Sequence, residues 1–229
     1  MANVAGKAYG LTALIPIKHG QSENTSYDKQ VRDQLYCWPR ASDSPMAKIP
    51  NTYLCRFYLL NDVFYQGKPA VEEHLNNHYL VYESNFHGDP ETYLAQAWEQ
   101  ATEAWQQLLK YCVAFDKVQS PTDFVSYIKR CQINNNLFFN GSNDKSLAEQ
   151  LKALFLKQSL SHFCFFAQEF QIQGELGERR LQDAFRRYTD YTQPDNLQQP
   201  TWPIAAIEEP KNLRSDIAAI IDKTKEVIQ

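Results

Sequence analysis

The feature that most limits the fold is a pair of segments rich in aromatic and aliphatic side chains, Thr52–Leu60 (TYLCRFYLL) and His78–Phe86 (HYLVYESNF). Side chains of these types favour the pleated, half-buried surface of a β-strand. Residues 61–77, between them, are mainly polar or turn-forming and are typical of a loop. Two adjacent strands joined by a loop are predicted to pair antiparallel.

The residues after the second strand carry strong signals for the start of a helix. Asp89 suits the N-cap, Pro90 suits the first helical position, and Glu91 places a negative charge in the first turn. An apolar stripe at helical spacing follows, formed by Leu94, Ala97, Trp98, Ala101, Trp105 and Leu108. We therefore predict a long helix that packs against the sheet.

The remaining elements of the first half predict an α+β fold. A first strand is expected over Tyr9–Lys18, a helix over Ser22–Trp38 and a short strand over Cys112–Phe115. Together with the two strands and the helix above, the order is strand–helix–strand–strand–helix–strand. That order is typical of a ferredoxin-like unit with an antiparallel sheet, which would occupy about residues 9–116.

The second half is predicted to extend this domain to residue 188. Residues 117–188 are expected to hold a helix capped at Ser120, a strand over Asn136–Asn140, a long helix from about Ser146 and a helix over Arg179–Tyr188. Residues 189–210 contain four prolines and predict an extended arm, pinned by Trp202 and Ile204. Residues 211–229 predict an amphipathic helix, which packs either on its own domain or on a partner subunit.

Composition excludes several classes of function. With eight glycines and neither GxGxxG nor GxxxxGK[ST], the chain lacks the usual phosphate-binding loops. The net charge of −4 and the dispersed Lys and Arg residues argue against nucleic-acid binding. The sequence has no signal-peptide pattern and no apolar run long enough to span a bilayer, so we expect a cytoplasmic location. The five cysteines have no CxxC spacing, and we expect small buried hydrophobes in a reducing compartment.

Candidate site residues lie on one face of the second strand. Because alternate strand residues share a face, Tyr79, Glu83, Asn85 and His87 lie together, on the side opposite the more apolar set. If Asn61 pairs with His78, Arg56 of the neighbouring strand lies opposite Glu83. This pair is either a structural ion pair across a hairpin or part of a pocket, in which Tyr58 and Tyr79 are further candidates for ligand contact.

Two histidines have competing interpretations. His87, at the strand end, either shields the N-terminus of the following helix or serves as an acid/base group or a metal or haem ligand. His162, in the aromatic segment SLSHFCFF, is either a core or cavity-lining residue or an axial ligand. No dedicated metal site is predicted, because neither HExxH nor a cluster of cysteines and histidines occurs.

Three stretches resemble an uncharacterised family of bacterial proteins: LTALIPIK (Leu11–Lys18), YLVYESNFHGDPETYL (Tyr79–Leu94) and YIKRCQINNNLFF (Tyr127–Phe139). The resemblance covers about residues 9–165 and is most specific at the ESNFHGD junction. It implies a ferredoxin-like fold of the kind that forms dimeric α/β barrels, but it brings no established activity. That fold group includes haem-binding dye-decolourising peroxidases and chlorite dismutases, and cofactor-free monooxygenases. The GxxDG signature of the peroxidases is absent.

Two functions follow as expectations. The first is a protein that binds a small apolar or aromatic ligand, or a partner subunit, on the aromatic-lined sheet face, with a homodimer as the expected assembly. The alternative is a haem-dependent peroxidase-like or cofactor-free monooxygenase-like enzyme. In that enzyme His87, Glu83 and Arg56 would be catalytic, and Asn85, Tyr58, Tyr79 and His162 would contact the ligand.

Overall fold

The computed structural model describes residues 2–40, 42–142, 144–193, 197, 200–202 and 210–228, and of 171–173 and 210–218 it describes the backbone alone. The chain divides into two compact units. The first, here called the sheet unit, comprises Met1–Pro39 and Asp43–Lys145. The second, the helical unit, comprises Arg40–Ser42 and Ser146–Gln229. The fold is α+β with antiparallel sheets, as predicted. The predicted single domain over residues 1–188 stays a prediction.

The described strands of the sheet unit are β1 (Val4–Ala5), β2 (Ala8–Pro16), β3 (Gln21–Ser22), β4 (Thr25–Ser26), β5 (Thr52–Leu60), β6 (Tyr79–His87) and β7 (Gln132–Ile133). Five of them form an antiparallel sheet with the order β1–β2–β6–β5, in which β7 also pairs with β2. β3 and β4 form a separate two-stranded hairpin that precedes the first helix. The central strand β6 therefore lies between β2 and β5.

The predicted pairing of the two aromatic-rich strands is confirmed. β5 and β6 are antiparallel, and Arg56 lies opposite Glu83. A register shift between Thr52 and Leu54 bends the start of β5. On the other side of β6, Thr12 of β2 also lies opposite Glu83, so this carboxylate is central in the sheet.

Three helices of the sheet unit supply the core on one face of the sheet. They are α1 (Tyr27–Cys37), α2 (Pro90–Leu109) and α3 (Pro121–Cys131). Trp105 of α2 is fully buried against Tyr82 of β6 and Phe57 of β5, with ring centroids 5.3 and 5.8 Å away. Each such aromatic contact contributes about 0.5–1.5 kcal/mol beyond its buried area. The core side of the sheet is thus fixed by ring packing.

The predicted helix caps are confirmed. The Asp89 carboxylate accepts a hydrogen bond from the Thr92 N–H at 2.8 Å, and the Ser120 hydroxyl accepts one from the Asp123 N–H at 3.2 Å. At the start of the helical unit, Ser146 and Glu149 form a capping box. Each cap satisfies N–H groups that the first turn of a helix leaves without partners.

Two strands and one helix start were predicted wrongly. Cys112–Phe115 is not a strand: Cys112 makes one isolated bridge to Ile17, and the left-handed Ala114 (φ 59°) then leads into a 3-10 turn. Asn136–Asn140 is irregular, and the strand there is the shorter β7. The first helix begins at Tyr27 instead of Ser22, because Glu23 and Asn24 both have positive φ and turn a hairpin.

The ferredoxin-like order is not confirmed. β2 and β5 lie on either side of β6 and both run antiparallel to it, which is the arrangement that a split βαβ unit requires of its first three strands. The fourth strand that the pattern needs is absent over 112–115, a segment that the structure describes.

The helical unit contains α4 (Leu147–Ala167), α5 (Gly174–Thr192) and α6 (Pro210–Ile228), with a 3-10 segment between α4 and α5. Its buried cluster is formed by Phe163, Ala184, Tyr188 and Ile228. Arg187 of α5 donates hydrogen bonds to the Val227 and Ile228 carbonyls at 2.9 and 2.7 Å, which satisfies the last turn of α6. The helix that was predicted over Arg179–Tyr188 is part of the longer α5, which runs from Gly174 to Thr192.

The predicted arm falls largely outside the described residues. Residues 194–196, 198–199 and 203–209, including Ile204, are not described. Trp202 is described, and its backbone N–H donates to the Leu151 carbonyl at 3.2 Å. The predicted apolar face of the last helix is described only from residue 219 onward, where Ile220 is buried.

Candidate functional site

The face of the sheet opposite the helices carries the candidate site. Along β6 the core-facing Leu80, Tyr82, Ser84 and Phe86 are all buried. The alternate residues Glu83, Asn85 and His87 are only half-buried and face away from the core, as the predicted alternation requires. A half-covered sheet face that ends in polar side chains is a suitable floor for a ligand site.

A three-residue cluster forms the polar centre of this face. The Arg56 Nε–H donates to Glu83 Oε2, and the Tyr58 hydroxyl donates to Glu83 Oε1 at 3.0 Å. The side chain of Glu83 is 19% exposed, whereas that of Arg56 is 66% exposed. Both carboxylate oxygens are thus occupied, so Glu83 positions the two neighbouring side chains instead of presenting a free acceptor.

The surroundings of Arg56 and Tyr58 keep both side chains protonated. The hydrogen bond and charge of Glu83 raise the already high pKa of Arg56, so its guanidinium is always charged. Burial and then the same carboxylate raise the pKa of Tyr58 above its ordinary value, which keeps the phenol protonated as a donor. The cluster therefore provides one fixed cation, the Arg56 guanidinium, and one phenolic donor, the Tyr58 hydroxyl.

One wall of the site is the segment 135–139, which is held onto β2 by amide hydrogen bonds. The Asn135 Nδ2 donates to the Gly10 carbonyl at 3.1 Å, and the Asn135 N–H donates to Asn3 Oδ1 at 3.2 Å. Asn3 is 4% exposed, and its Nδ2 also donates to the Gly10 carbonyl, at 3.0 Å. Two buried or half-buried amides thus fasten the wall to the edge of the sheet.

Gly10 lets the wall approach closely. A Cβ atom at this position would lie 2.7 Å from Cδ2 of Phe138, a distance that real contacts do not reach. The ring of Phe138 therefore lies directly over the strand backbone at the one position without a side chain.

Floor and wall together enclose a groove of about 400 Å³. We name it the sheet-face groove, and its lining residues are Gly10, Leu11, Thr12, Leu54, Arg56, Glu83, Ser84, Asn85, Asn135, Leu137, Phe138 and Phe139. The rim of the groove consists of apolar side chains that are exposed to solvent: Leu137 is 84% exposed, Phe139 81% and Leu54 56%. Large apolar side chains exposed beside a polar floor are typical of binding surfaces.

His87 lies on the same face of β6 but does not line the groove. Its Nδ1 is 2.8 Å from the Tyr53 hydroxyl oxygen, and that hydroxyl donates to the Lys145 carbonyl at 2.6 Å. Because a carbonyl can only accept, it takes the single phenolic proton, and Nδ1 of His87 must donate. Neutral His87 is then protonated at Nδ1, with Nε2 as its acceptor.

The structure brings together only some of the predicted site residues. Arg56, Glu83 and Asn85 line the groove, and Tyr58 does not line it but bonds Glu83. Tyr79 is at the opposite end of β6, opposite Leu60 of β5. His162 belongs to α4 in the helical unit, where its Nε2 is 2.7 Å from the Gln158 amide and its ring stacks on Phe166. The roles assigned to these residues stay predictions.

The groove does not fit haem. A haem iron needs an axial His, Cys, Met or Tyr ligand, and the lining contains none of these among the described residues. Nowhere among the described residues of the chain do three or more His, Cys, Asp or Glu side chains lie together so that they could hold a metal ion. The chemistry that the groove offers is recognition by hydrogen bonds, charge and apolar contact.

The cysteines lie outside this site. Cys112 is buried and burial raises its pKa to about 12, while Cys55 is partly buried with a pKa raised to about 11. Both behave as the small hydrophobes that were predicted. Cys37 and Cys164 are exposed, however, which corrects that expectation, because both lie on outward-facing positions of helices.

Four residues that shape the groove were missed from the sequence: Asn3, Gly10, Asn135 and Phe138. Only Gly10 carried a usable signal, since an isolated glycine within a strand often marks a close approach of another segment. The local pattern of Asn134–Asn136 does not indicate a bond to a strand 125 residues away in the chain.

Comparison with known proteins gives no family for this chain. No protein-family model matches it, and neither a curated protein nor a solved structure does. The resemblance to a bacterial family stays a prediction. Within the described part of the chain, no helix has the length and apolar character needed to cross a membrane.

Proposed function

We propose that the chain is a ligand-binding protein whose sheet-face groove holds a small molecule with an apolar or aromatic body. The observation that carries this proposal is the pairing of two kinds of surface in one groove. Leu54, Leu137 and Phe139 expose apolar area at the rim. On the floor, the Asn85 amide and the terminal nitrogens of Arg56 have no hydrogen-bond partner among the described residues.

In the free protein the apolar rim is exposed to water, and a bound ligand would remove that area from water. Apolar area removed from water is worth about 25 cal/mol per Å², and polar floor groups supply orientation more than affinity. A ligand with an apolar body and one polar end would satisfy both surfaces at once.

A neutral fluorescent probe tests the proposal directly. N-phenyl-1-naphthylamine brightens in apolar sites, and we expect saturable binding to the wild-type protein. Phe139→Ser should weaken that binding about five-fold or more, because the rim loses its largest apolar contact. The matched control is Phe64→Ser in the loop 61–78, where the ring is 89% exposed and does not line the groove.

Absence of saturable binding to the wild-type protein would contradict the proposal. So would an equal loss of binding in both variants, because the probe would then report general exposed apolar area. Untargeted mass spectrometry of small molecules that copurify with the wild-type chain, but not with Phe139→Ser, would identify the natural ligand.

A second candidate is a homodimer in which a second copy covers the rim. The exposure of Leu137 (84%) and Phe139 (81%) favours it, since such side chains are usually covered in interfaces. Light scattering on the full chain tests it: a dimeric mass that becomes monomeric in Leu137→Ser with Phe139→Ser supports the dimer. A monomeric wild-type mass at tens of micromolar removes it.

A further inference from the structure

The guanidinium of Arg56 is presented end-on in the sheet-face groove. Its Nε is used by Glu83, which leaves the two terminal nitrogens without partners among the residues that the structure describes. These two nitrogens form a planar fork that matches two acceptor oxygens in one plane. The bond to Glu83, itself held by Tyr58, restricts how the fork can rotate.

Nothing else on the groove floor competes for that fork. Both oxygens of Glu83 are occupied, by Arg56 and by Tyr58. The neighbouring Asn85 amide offers a further donor two residues along the same face of β6. The floor therefore has surplus donors, and it calls for acceptors from a ligand.

The charge of the groove limits how much negative charge it can take. Arg56 is the single cationic side chain and Glu83 the single anionic one among the described lining residues. A phosphate dianion would bring charge that no second Lys or Arg compensates. A carboxylate brings one charge and two coplanar oxygens, which fits one fork.

The apolar rim specifies the remainder of the ligand. Leu54 lies two residues before Arg56, on the same face of β5. Phe139 belongs to the wall segment 135–139, and both side chains line the groove. We propose that the groove binds a monocarboxylate with a flat apolar or aromatic body, its carboxylate on the Arg56 fork and its body against Leu54 and Phe139. This inference rests on the proposed function and names the class of its ligand.

A matched pair of probes separates the carboxylate from the body. 2-Naphthoate and 2-naphthamide have the same ring system and nearly the same shape, but only the naphthoate is charged. We expect the full-length protein to bind naphthoate about ten-fold more tightly than naphthamide in NMR titrations, and we expect Arg56→Gln to abolish this preference. Near-UV circular dichroism establishes that the variant keeps its aromatic core.

Two further variants identify the cause of the preference. Arg56→Lys keeps the charge without the fork, and should retain only about a two- to three-fold preference. Lys129→Gln is the matched control, because Lys129 forms an exposed ion pair with Glu91 at 2.6 Å and does not line the groove. It should retain the full ten-fold preference.

The outcomes are distinct. Equal binding of the two probes to the wild-type protein, or a preference that survives Arg56→Gln, overturns the carboxylate inference and leaves the proposed function standing. If neither probe binds, the proposed function fails as well. A preference lost equally in Lys129→Gln also overturns the inference, since general surface charge would then explain it.

Discussion

The two units of the chain bury their side chains in different ways. The sheet unit has a continuous core in which rings from strands and helices interlock, with Trp105, Tyr82 and Phe124 all fully buried. The described side chains of the helical unit bury a small cluster around Phe163 and Tyr188, while Phe165 and Leu176 remain 67% and 56% exposed. A well-filled core therefore lies beneath the face that carries the groove, whereas the hydrophobic cluster among the described side chains of the helical unit is smaller.

The largest effect is expected in the sheet unit. Trp105→Ala removes a fully buried ring that contacts Tyr82 and Phe124, and leaves the Ala97 carbonyl without the indole N–H that bonds it at 2.9 Å. We expect the free energy of unfolding to fall by about 3–5 kcal/mol, measured by urea denaturation with far-UV circular dichroism. The control Phe64→Ala changes an exposed ring and should alter it by less than about 0.5 kcal/mol. A loss below 1 kcal/mol in Trp105→Ala would break the contrast between the units.

A smaller loss is expected for the matching change in the helical unit. Phe163→Ala removes a ring 4.9 Å from that of Tyr188 and 5.6 Å from that of Phe185. Because Phe185 is half-exposed and can close over the gap, we expect the free energy of unfolding to fall by about 2–3 kcal/mol. The transition is followed by the helical circular dichroism signal at 222 nm. Phe165→Ala, two residues along the same helix and mostly exposed, should leave that transition unchanged. Equal losses for the two phenylalanines would show that the described cluster is not the core of this unit.

The hydrogen bonds of Arg187 to the end of α6 are expected to stabilise the helical unit. Arg187→Ala removes two hydrogen bonds to the last carbonyls of α6 and should cost about 1 kcal/mol, with faster amide exchange at the end of α6. Arg186→Ala is its control, because Arg186 only faces Asp183 across 3.7 Å at the surface. Identical exchange rates in the two variants would contradict the capping role.

The smallest effect is expected in the loop 61–78 of the sheet unit. The carboxylate of Asp62 bonds the His74 ring and accepts from the Leu75 and Val63 N–H groups, which lowers its pKa to about 2. A carboxyl with a lowered folded-state pKa stabilises the loop above its unfolded pKa near 3.8, and that contribution disappears as the pH falls through about 2. Carbon NMR of the carboxyl should give a midpoint near 2, moving upward in His74→Ala. A midpoint at the ordinary value would show that the loop is not closed by Asp62.

The parts of the fold that were predicted correctly have local causes. The caps at Asp89 and Ser120 follow from residue types next to the helix start, and the pairing of Arg56 with Glu83 follows from two strands that flank one loop. In each case the signal and the contact lie within a few tens of residues. Contacts between residues that are close in the sequence can therefore be predicted from local residue patterns.

The parts that were missed depend on distant contacts. The antiparallel pairing of β2 with β6 agrees with the predicted antiparallel sheet, whereas the short pairing of β2 with β7 was not foreseen. In place of the predicted strand at 136–140 there is an irregular segment that follows the two-residue β7 and is fastened to Gly10 by the Asn135 amide. The floor of the candidate site was therefore predictable and its wall was not.

Asn3 has a practical consequence for anyone who handles this protein. Its side chain and backbone together make three of the bonds that join the first residues, Gly10 and Asn135. Trimming the amino end to improve crystallisation would unfasten the wall of the groove without touching any residue that lines it. A fusion tag there needs a spacer, since only 4% of Asn3 is accessible.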